Sequence, residues 1–194
     1  MEPNRCAWCL GHNASYIAYH DKEWGQLHLD QERYLFKMFV LESFQAGLSW
    51  ECVLNKREAF RKDFKNFDPK IVASFDKKKV QELLLDENII RSKGKILAAI
   101  SNAKIFLSIE KEFGSFKNYL LSFSKGKILF EAGKTKNELS DALSKDLKKR
   151  GVKFFGTVIA YSYLQAIGII NSHEKGCFLS FSKDETKAIR QWDS

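Results

Sequence analysis

The apolar positions recur at a 3.6-residue period over most of the chain and nowhere alternate in twos for long, so the pattern predicts an all-α protein. Tyr34, Leu35, Met38, Phe39 and Leu41 mark one face of a helix expected to run from an Asp30 cap to about Ala46, with Gly47 placed to end it. Asp68-Pro69 is a helix start: the aspartate accepts free amide hydrogens, and proline at the first helical position loses no bond. Asp76 begins another helix through Leu85, and a longer one is expected from about 92 to 113, stopped by Gly114. Further helical segments fall at about 115–123, at 138–150 before Gly151 and at 157–167 before Gly168. Hairpin dipeptides and internal repeats are missing, which leaves a compact orthogonal array of about seven or eight helices. Residues 124–137 read as the most loop-like interior stretch, and the chain beyond Phe178 carries no readable pattern.

Composition narrows the class. The 194 residues are 44% hydrophobic and include 16 Phe, enough apolar side chain for a sizeable single core. No apolar run approaches the roughly 20 residues that cross a bilayer, and the first residues lack the basic-then-apolar order of a secretion signal, so a cytoplasmic protein is expected. Four Cys are too few for a disulfide scaffold of this length. Cys52, within an apolar stretch, reads as a buried small hydrophobe.

Charge is unevenly placed. Residues 1–50 have a net charge of −2, residues 51–160 a net charge of +10, and residues 161–194 are neutral, giving +8 in all. A basic middle with neutral ends suits a partner that is a polyanion met on one side.

Four groups of residues could carry chemistry. Cys6 and His20 near one end, and His173-x3-Cys177 near the other, have the residue types and the short spacing of a closed Cys2His2 tetrahedron. Such a site would join two irregular ends; Cys9, His12 and His28 compete as ligands. Trp8, Tyr16, Tyr19 and Trp24 crowd aromatic faces into 17 residues, as a pocket for a flat and preferably cationic heterocycle requires. Glu42 shares a helix face with Leu35, Met38, Phe39, Gln45 and Ala46; a carboxylate there is costly unless paired, which marks it as a candidate functional group. After it, residues 45–49 read as a tight turn with Leu48 at the tip and Trp50 nearby. Finally, a basic helix, the Gly-bounded turn 150–156 and an apolar helix form a helix-hairpin-helix pattern inside the +10 segment. Such a hairpin grips phosphates with backbone amides and flanking Lys or Arg. The HxE and PCxxC of a zinc deaminase are both missing, and His173-Glu174 does not continue as a protease HExxH.

The segments YIAYHDKEWG (16–25), LESFQAGLSW (41–50), SDALSKDLKKRGVKFFGT (140–157) and His173-x3-Cys177 closely resemble the bacterial DNA-3-methyladenine glycosylase I family, in register from about Cys6 to Cys177. The resemblance implies an all-α helix-hairpin-helix glycosylase domain over residues 1–178, closed by a structural zinc on Cys6, His20, His173 and Cys177, with 179–194 a tail of unassigned role. It implies a monomer acting on double-stranded DNA containing alkylated bases and releasing 3-methyladenine. The flipped base would meet Trp8, Tyr16, Tyr19, Trp50 and a catalytic Glu42. Gly47 and Leu48 would enter the gap in the duplex, while Lys149, Arg150, Gly151, Lys153 and Gly156 would hold the backbone. A base methylated at N3 is already a cation and leaves readily, which suits a chain with no acidic residue between Asp146 and Glu174. Departures from the family pattern are Ser43, where glycine is more usual, and the extra thiol of Cys9. The competing reading is a non-catalytic, zinc-stabilised protein that binds DNA damage.

Overall fold

A computed structural model describes residues 2–180; most of the expected tail, including Trp192, lies outside the described residues. Ten α-helices are present among them, with two 3-10 turns, and the all-α expectation holds. The helices are α1 (Ala14–Lys22), α2 (Glu32–Gln45), α3 (Trp50–Asn55), α4 (Arg57–Asp63), α5 (Pro69–Ala73), α6 (Lys77–Leu85), α7 (Lys93–Phe113), α8 (Phe116–Ser124), α9 (Glu138–Lys149) and α10 (Thr157–Ala166). No helix of the described residues is long and apolar enough to cross a membrane.

Helix α2 is the axis of the core. Residues 38–44 are buried on every side of it, so it reads as a helix wrapped by others rather than one resting on a surface. Phe39 alone meets the rings of Phe106 on α7, Phe116 on α8, Phe155 before α10 and Tyr163 on α10, at centroid distances of 4.5–6.0 Å. At the other end of α2, Phe44 packs edge-on against Phe60 and Phe64, which closes the core over α4.

The helix starts read from sequence are mostly present. Asp68 accepts from the amides of Lys70 and Ile71 with Pro69 first in α5, and Asp76 accepts from Lys79. Asp30 is a correction. The cap position of α2 belongs to Gln31, which makes no side-chain cap, and Asp30 reaches Lys117 instead. Glu32 then accepts from the amides of Phe116 and Lys117, so an acid in the first turn of α2 caps the start of α8. Cys52 is half-buried rather than buried.

Three helices, α1, α3 and α4, were not legible. The buried face of α1 is Tyr16, Tyr19 and His20, a correct i, i+3, i+4 spacing made of polar-tipped rings instead of aliphatic residues. Helices α3 and α4 have six and seven residues, too short to display a period. The 124–137 stretch also hides a two-residue strand, β1 (Leu129–Phe130), parallel to β2 (Ile170–Asn171). Its order comes from main-chain bonds made 40 residues away, which no local alternation announces.

The segment after α1 lies directly on the end of α10: Gly25 N–H donates to the Gln165 carbonyl and His28 N–H to Ile167. Gly168 makes this approach possible. Its φ is +83°, and a Cβ there would overlap the Gln26 backbone. We expect Gly168→Ala to destabilise the protein by at least about 2 kcal/mol, read as a lower urea midpoint at unchanged m; an unchanged midpoint would mean that the two segments separate freely.

Candidate functional site

The two chain ends meet at four buried side chains. The ligand atoms of Cys6, His20, His173 and Cys177 lie within 4.8 Å of one another. Cys6 Sγ is 3.6 Å from His173 Nδ1, and Cys177 Sγ is 3.6 Å from His20 Nε2 and 3.7 Å from His173 Nδ1. A tetrahedral ion with bonds of about 2.3 Å to sulfur and 2.0–2.1 Å to nitrogen has sulfur–nitrogen edges of about 3.6 Å, so the donor set fits such an ion.

The outer contacts fit as well. His20 Nδ1 is 2.8 Å from Asp21, which accepts a forked pair from Arg5, and His173 Nε2 donates to the Trp24 carbonyl at 3.2 Å. These bonds leave Nε2 of His20 and Nδ1 of His173 facing the centre, as a metal requires. The Glu174 amide donates to Cys6 Sγ and the Leu179 amide to Cys177 Sγ, so each sulfur accepts a main-chain hydrogen bond. The competing ligands stand elsewhere: Cys9 donates to the Cys6 carbonyl, His12 pairs with Glu51 and stacks on Tyr16, and His28 contacts the Glu23 carbonyl and Tyr34.

Beside this cluster lies a cavity of about 410 Å³, a size that suits a small heterocycle. One side is aromatic. Trp8 meets Tyr16 edge-on at 5.5 Å and Trp24 at 4.7 Å, and Tyr19 meets Trp50 at 5.2 Å. The cluster braces this wall, because the His20 ring contacts Trp8 and Trp24 and the His173 ring contacts Trp24. The five residues expected at a base pocket, Trp8, Tyr16, Tyr19, Glu42 and Trp50, therefore come together.

Glu42 is 2% exposed, and its Oε2 has no hydrogen-bond partner. Burial alone pushes its pKa up to about 8. Three more buried polar atoms of the lining side chains are also unpartnered: Trp8 Nε1, Trp50 Nε1 and Gln45 Oε1. Buried polar groups are rarely left so, and four around one cavity describe a site that awaits a polar ligand.

Most of the remaining lining residues escaped the sequence reading. Trp24, offered by the aromatic run, joins the other rings at the cavity, whereas Gln45, one helical turn beyond Glu42, reads in the sequence only as a neighbour on its helix face. Ser162 and Gln165 on α10, Ser172, Glu174 and the loop 133–135 form the opposite side. Nothing local distinguishes these, since only the return of α10 across α2 brings them to the cavity.

Two turns are exposed, one just before the basic segment and one within it. After α2, Gly47 takes a φ of +77° with open space around it, and Leu48 stands 41% exposed before Ser49 caps α3. Between α9 and α10, Lys149, Gly151, Lys153 and Gly156 are exposed, and Gly156 opens α10 without a side-chain cap. Arg150 stands apart from this group. Its Nε donates to Asp146 at 2.7 Å and both Nη atoms to Glu112, and its guanidinium sits over Phe113 and Tyr119. The expected phosphate contact of Arg150 thus meets a guanidinium already committed to two carboxylates, joining α9 to the end of α7.

Known proteins bear on this geometry. A family model described as methyladenine glycosylase matches residues 8–180. The DNA-3-methyladenine glycosylase 1 of Escherichia coli (strain K12) is 45% identical over 179 residues, 89% of this chain and 95% of that one. Among solved structures, a 3-methyladenine DNA glycosylase I superposes with a TM-score of 0.87 at 45% identity, covering 92% of this chain and 100% of that chain. A second, from Staphylococcus aureus and solved to explain 3-methyladenine recognition, gives a TM-score of 0.85 at 36% identity over 90% of this chain and 95% of its own.

Two outcomes are expected from the site as built. Cys6→Ser removes bound divalent metal and lowers Tm by on the order of 10 °C, whereas Cys9→Ser keeps the metal, as metal analysis by mass spectrometry reads directly. For Glu42, whose pKa in the folded protein stands above the ordinary 4.5, stability is fullest below about pH 4.5 and declines as pH rises toward 8. Glu42→Gln lacks this loss, so its Tm should rise relative to wild type across that window; parallel pH–Tm curves would show that the carboxyl is not desolvated.

Proposed function

This chain belongs to the methyladenine glycosylase family, and from that membership we propose that it removes 3-methyladenine from alkylated duplex DNA by hydrolysing the N-glycosidic bond. The observation that carries the proposal is the desolvated, unpartnered carboxyl of Glu42 inside an aromatic-walled cavity. A neutral base would leave a buried carboxylate unpaired or would meet a protonated acid. A cationic base restores the carboxylate and pairs with it in a medium of low dielectric, where the attraction is strong. The faces of Trp8, Tyr16, Tyr19 and Trp50 add attraction between ring and cation.

Extrusion of the damaged nucleotide costs a few kcal/mol, and less for a base that stacks poorly. The exposed Leu48 on the Gly47 turn is suited to fill the gap. The Gly156 amide, with the ammonium groups of Lys149 and Lys153, is suited to hold phosphates without reading sequence, whereas the amides of Gly151 and Lys153 already donate to the Lys148 carbonyl and to Asn102. Arg150, by its pairing with Asp146 and Glu112, keeps this hairpin in place rather than binding DNA itself.

Within the pocket Glu42 accepts hydrogen bonds from the base edge and offsets its charge as the glycosidic bond lengthens. Water then attacks C1′ of the sugar, the base departs neutral, and an abasic site remains. The leaving group supplies most of the driving force, so discrimination falls on the pocket. The Cys6, His20, His173 and Cys177 set fits a structural zinc, whose four protein ligands leave no position for the attacking water. A DNA substrate supports a cytoplasmic place of work.

The direct test is chromatography of bases released from methylated duplex DNA. Wild type should release 3-methyladenine, and Glu42→Gln should lower the rate by at least about a hundredfold while its circular dichroism is unchanged. Binding of the duplex without any released base would instead identify a damage-binding protein. Duplex affinity should fall steeply between about 50 and 200 mM salt as phosphate contacts are screened.

A further inference from the structure

Lys95 on α7 belongs to neither the pocket nor the hairpin, yet it grips the turn that carries Leu48. Its Nζ donates to the Phe44 carbonyl at 2.8 Å and to the Ala46 carbonyl at 2.7 Å. The last carbonyls of a helix have no donor within it, and they sit at the negative end of its dipole. One half-buried ammonium thus supplies donors to two carbonyls at the end of α2.

Seven residues further on, Asn102 stands on the same face of α7, two turns and about 10.5 Å along its axis. Asn102 is buried and closes both backbone bonds of Lys153: its Nδ2 donates to the Lys153 carbonyl, and its Oδ1 accepts from the Lys153 amide, each at 3.0 Å. The Phe154 ring lies beside Gly94, so the hairpin also rests on the residue next to Lys95. One rigid helix of 21 residues therefore holds the Leu48 turn near its start and the 150–156 turn two helical turns later.

We infer that α7 fixes the separation between the Leu48 turn and the phosphate-holding hairpin, with Lys95 the positioning residue for the turn. This rests on the DNA reading above. A side chain that fills the gap left by a flipped base helps only where the held backbone presents that gap. A Cβ at Gly47 would meet nothing within 4 Å and Leu48 is exposed, so little packs against the tip of the turn. Without Lys95 the Phe44 and Ala46 carbonyls lose their common donor, and the turn is free to depart from one geometry.

The test is a double-mutant cycle on Lys95→Met and Leu48→Ala, read by anisotropy with a duplex carrying a tetrahydrofuran abasic-site analogue. Lys95→Met alone should weaken duplex binding about tenfold and slow single-turnover release similarly, while affinity for free 3-methyladenine stays within about twofold. In the Leu48→Ala background the same change should cost less than about twofold, because the side chain it positions is gone. Lys95→Arg, which keeps two donors, should recover most of the loss. Equal losses in both backgrounds, with a salt slope lower by about one, would instead assign Lys95 to a phosphate. A parallel fall in free-base affinity would reduce it to a general structural role, and no change in duplex binding would remove it from function. If Lys95→Met does not fold, Lys95→Gln carries the same cycle. A wild type that neither binds the analogue nor releases base would overturn the glycosylase reading and this inference with it, whereas a wild type that does both beside an unchanged Lys95→Met would overturn this inference alone.

Discussion

A carboxyl group without a partner, held out of water, is the constraint around which this molecule is organised. Glu42 sits on the most enclosed helix of the fold, and its burial disfavours its own charged form. Such a group persists only where its surroundings cannot relax to solvate or pair it. The rings that pack Phe39 on one side of α2 and Phe44 at its end give that rigidity, and the edge-to-face aromatic wall shapes the cavity it faces. The energetic cost and the selectivity proposed for the cavity have one origin: a ligand that brings a positive charge would restore the carboxylate.

Part of the wall of that cavity lies outside the α-helices. Trp8 is in a 3-10 turn and Trp24 follows α1, and their rings contact His20 and His173. Four buried ligand side chains from the two ends thus serve the pocket even though they take no part in the reaction proposed for it. The charged pair of Arg5 and Asp21 extends this bracing outward, since Asp21 orients His20. On the opposite side, α10 returns across α2 and brings Gln165 and Ser162 to the cavity, with Gly168 permitting its end to lie on the segment after α1.

The uneven charge along the chain acquires a spatial meaning. The aromatic, slightly acidic beginning of the chain lines the cavity proposed for the base, and the basic middle carries the exposed lysines of the 150–156 turn. Not every basic residue there is available to a phosphate. Arg150 holds α9 against α7 through two carboxylates, and Lys95 caps the end of α2. Sequence counts both as positive charge on a basic segment. Only contact geometry separates a cation that holds the scaffold from one that remains available to a polyanion.

The sequence by itself determined the helical class, most helix limits and the residues with the capacity for chemistry, because these depend on local matters: apolar period, capping, and the properties of each side chain. It identified Glu42 as costly on its helix face and offered four metal ligands without deciding against Cys9, His12 and His28. Tertiary structure decided the rest. It separated the four clustered side chains from their rivals, brought Gln45 and the polar far side to the aromatic residues, committed Arg150 to carboxylates, and paired two strands 40 residues apart. The reason is physical. A residue's propensity and polarity are its own, whereas desolvation, coordination and the occupation of a charge are properties of neighbours, and neighbours distant in sequence are assigned only when the chain packs.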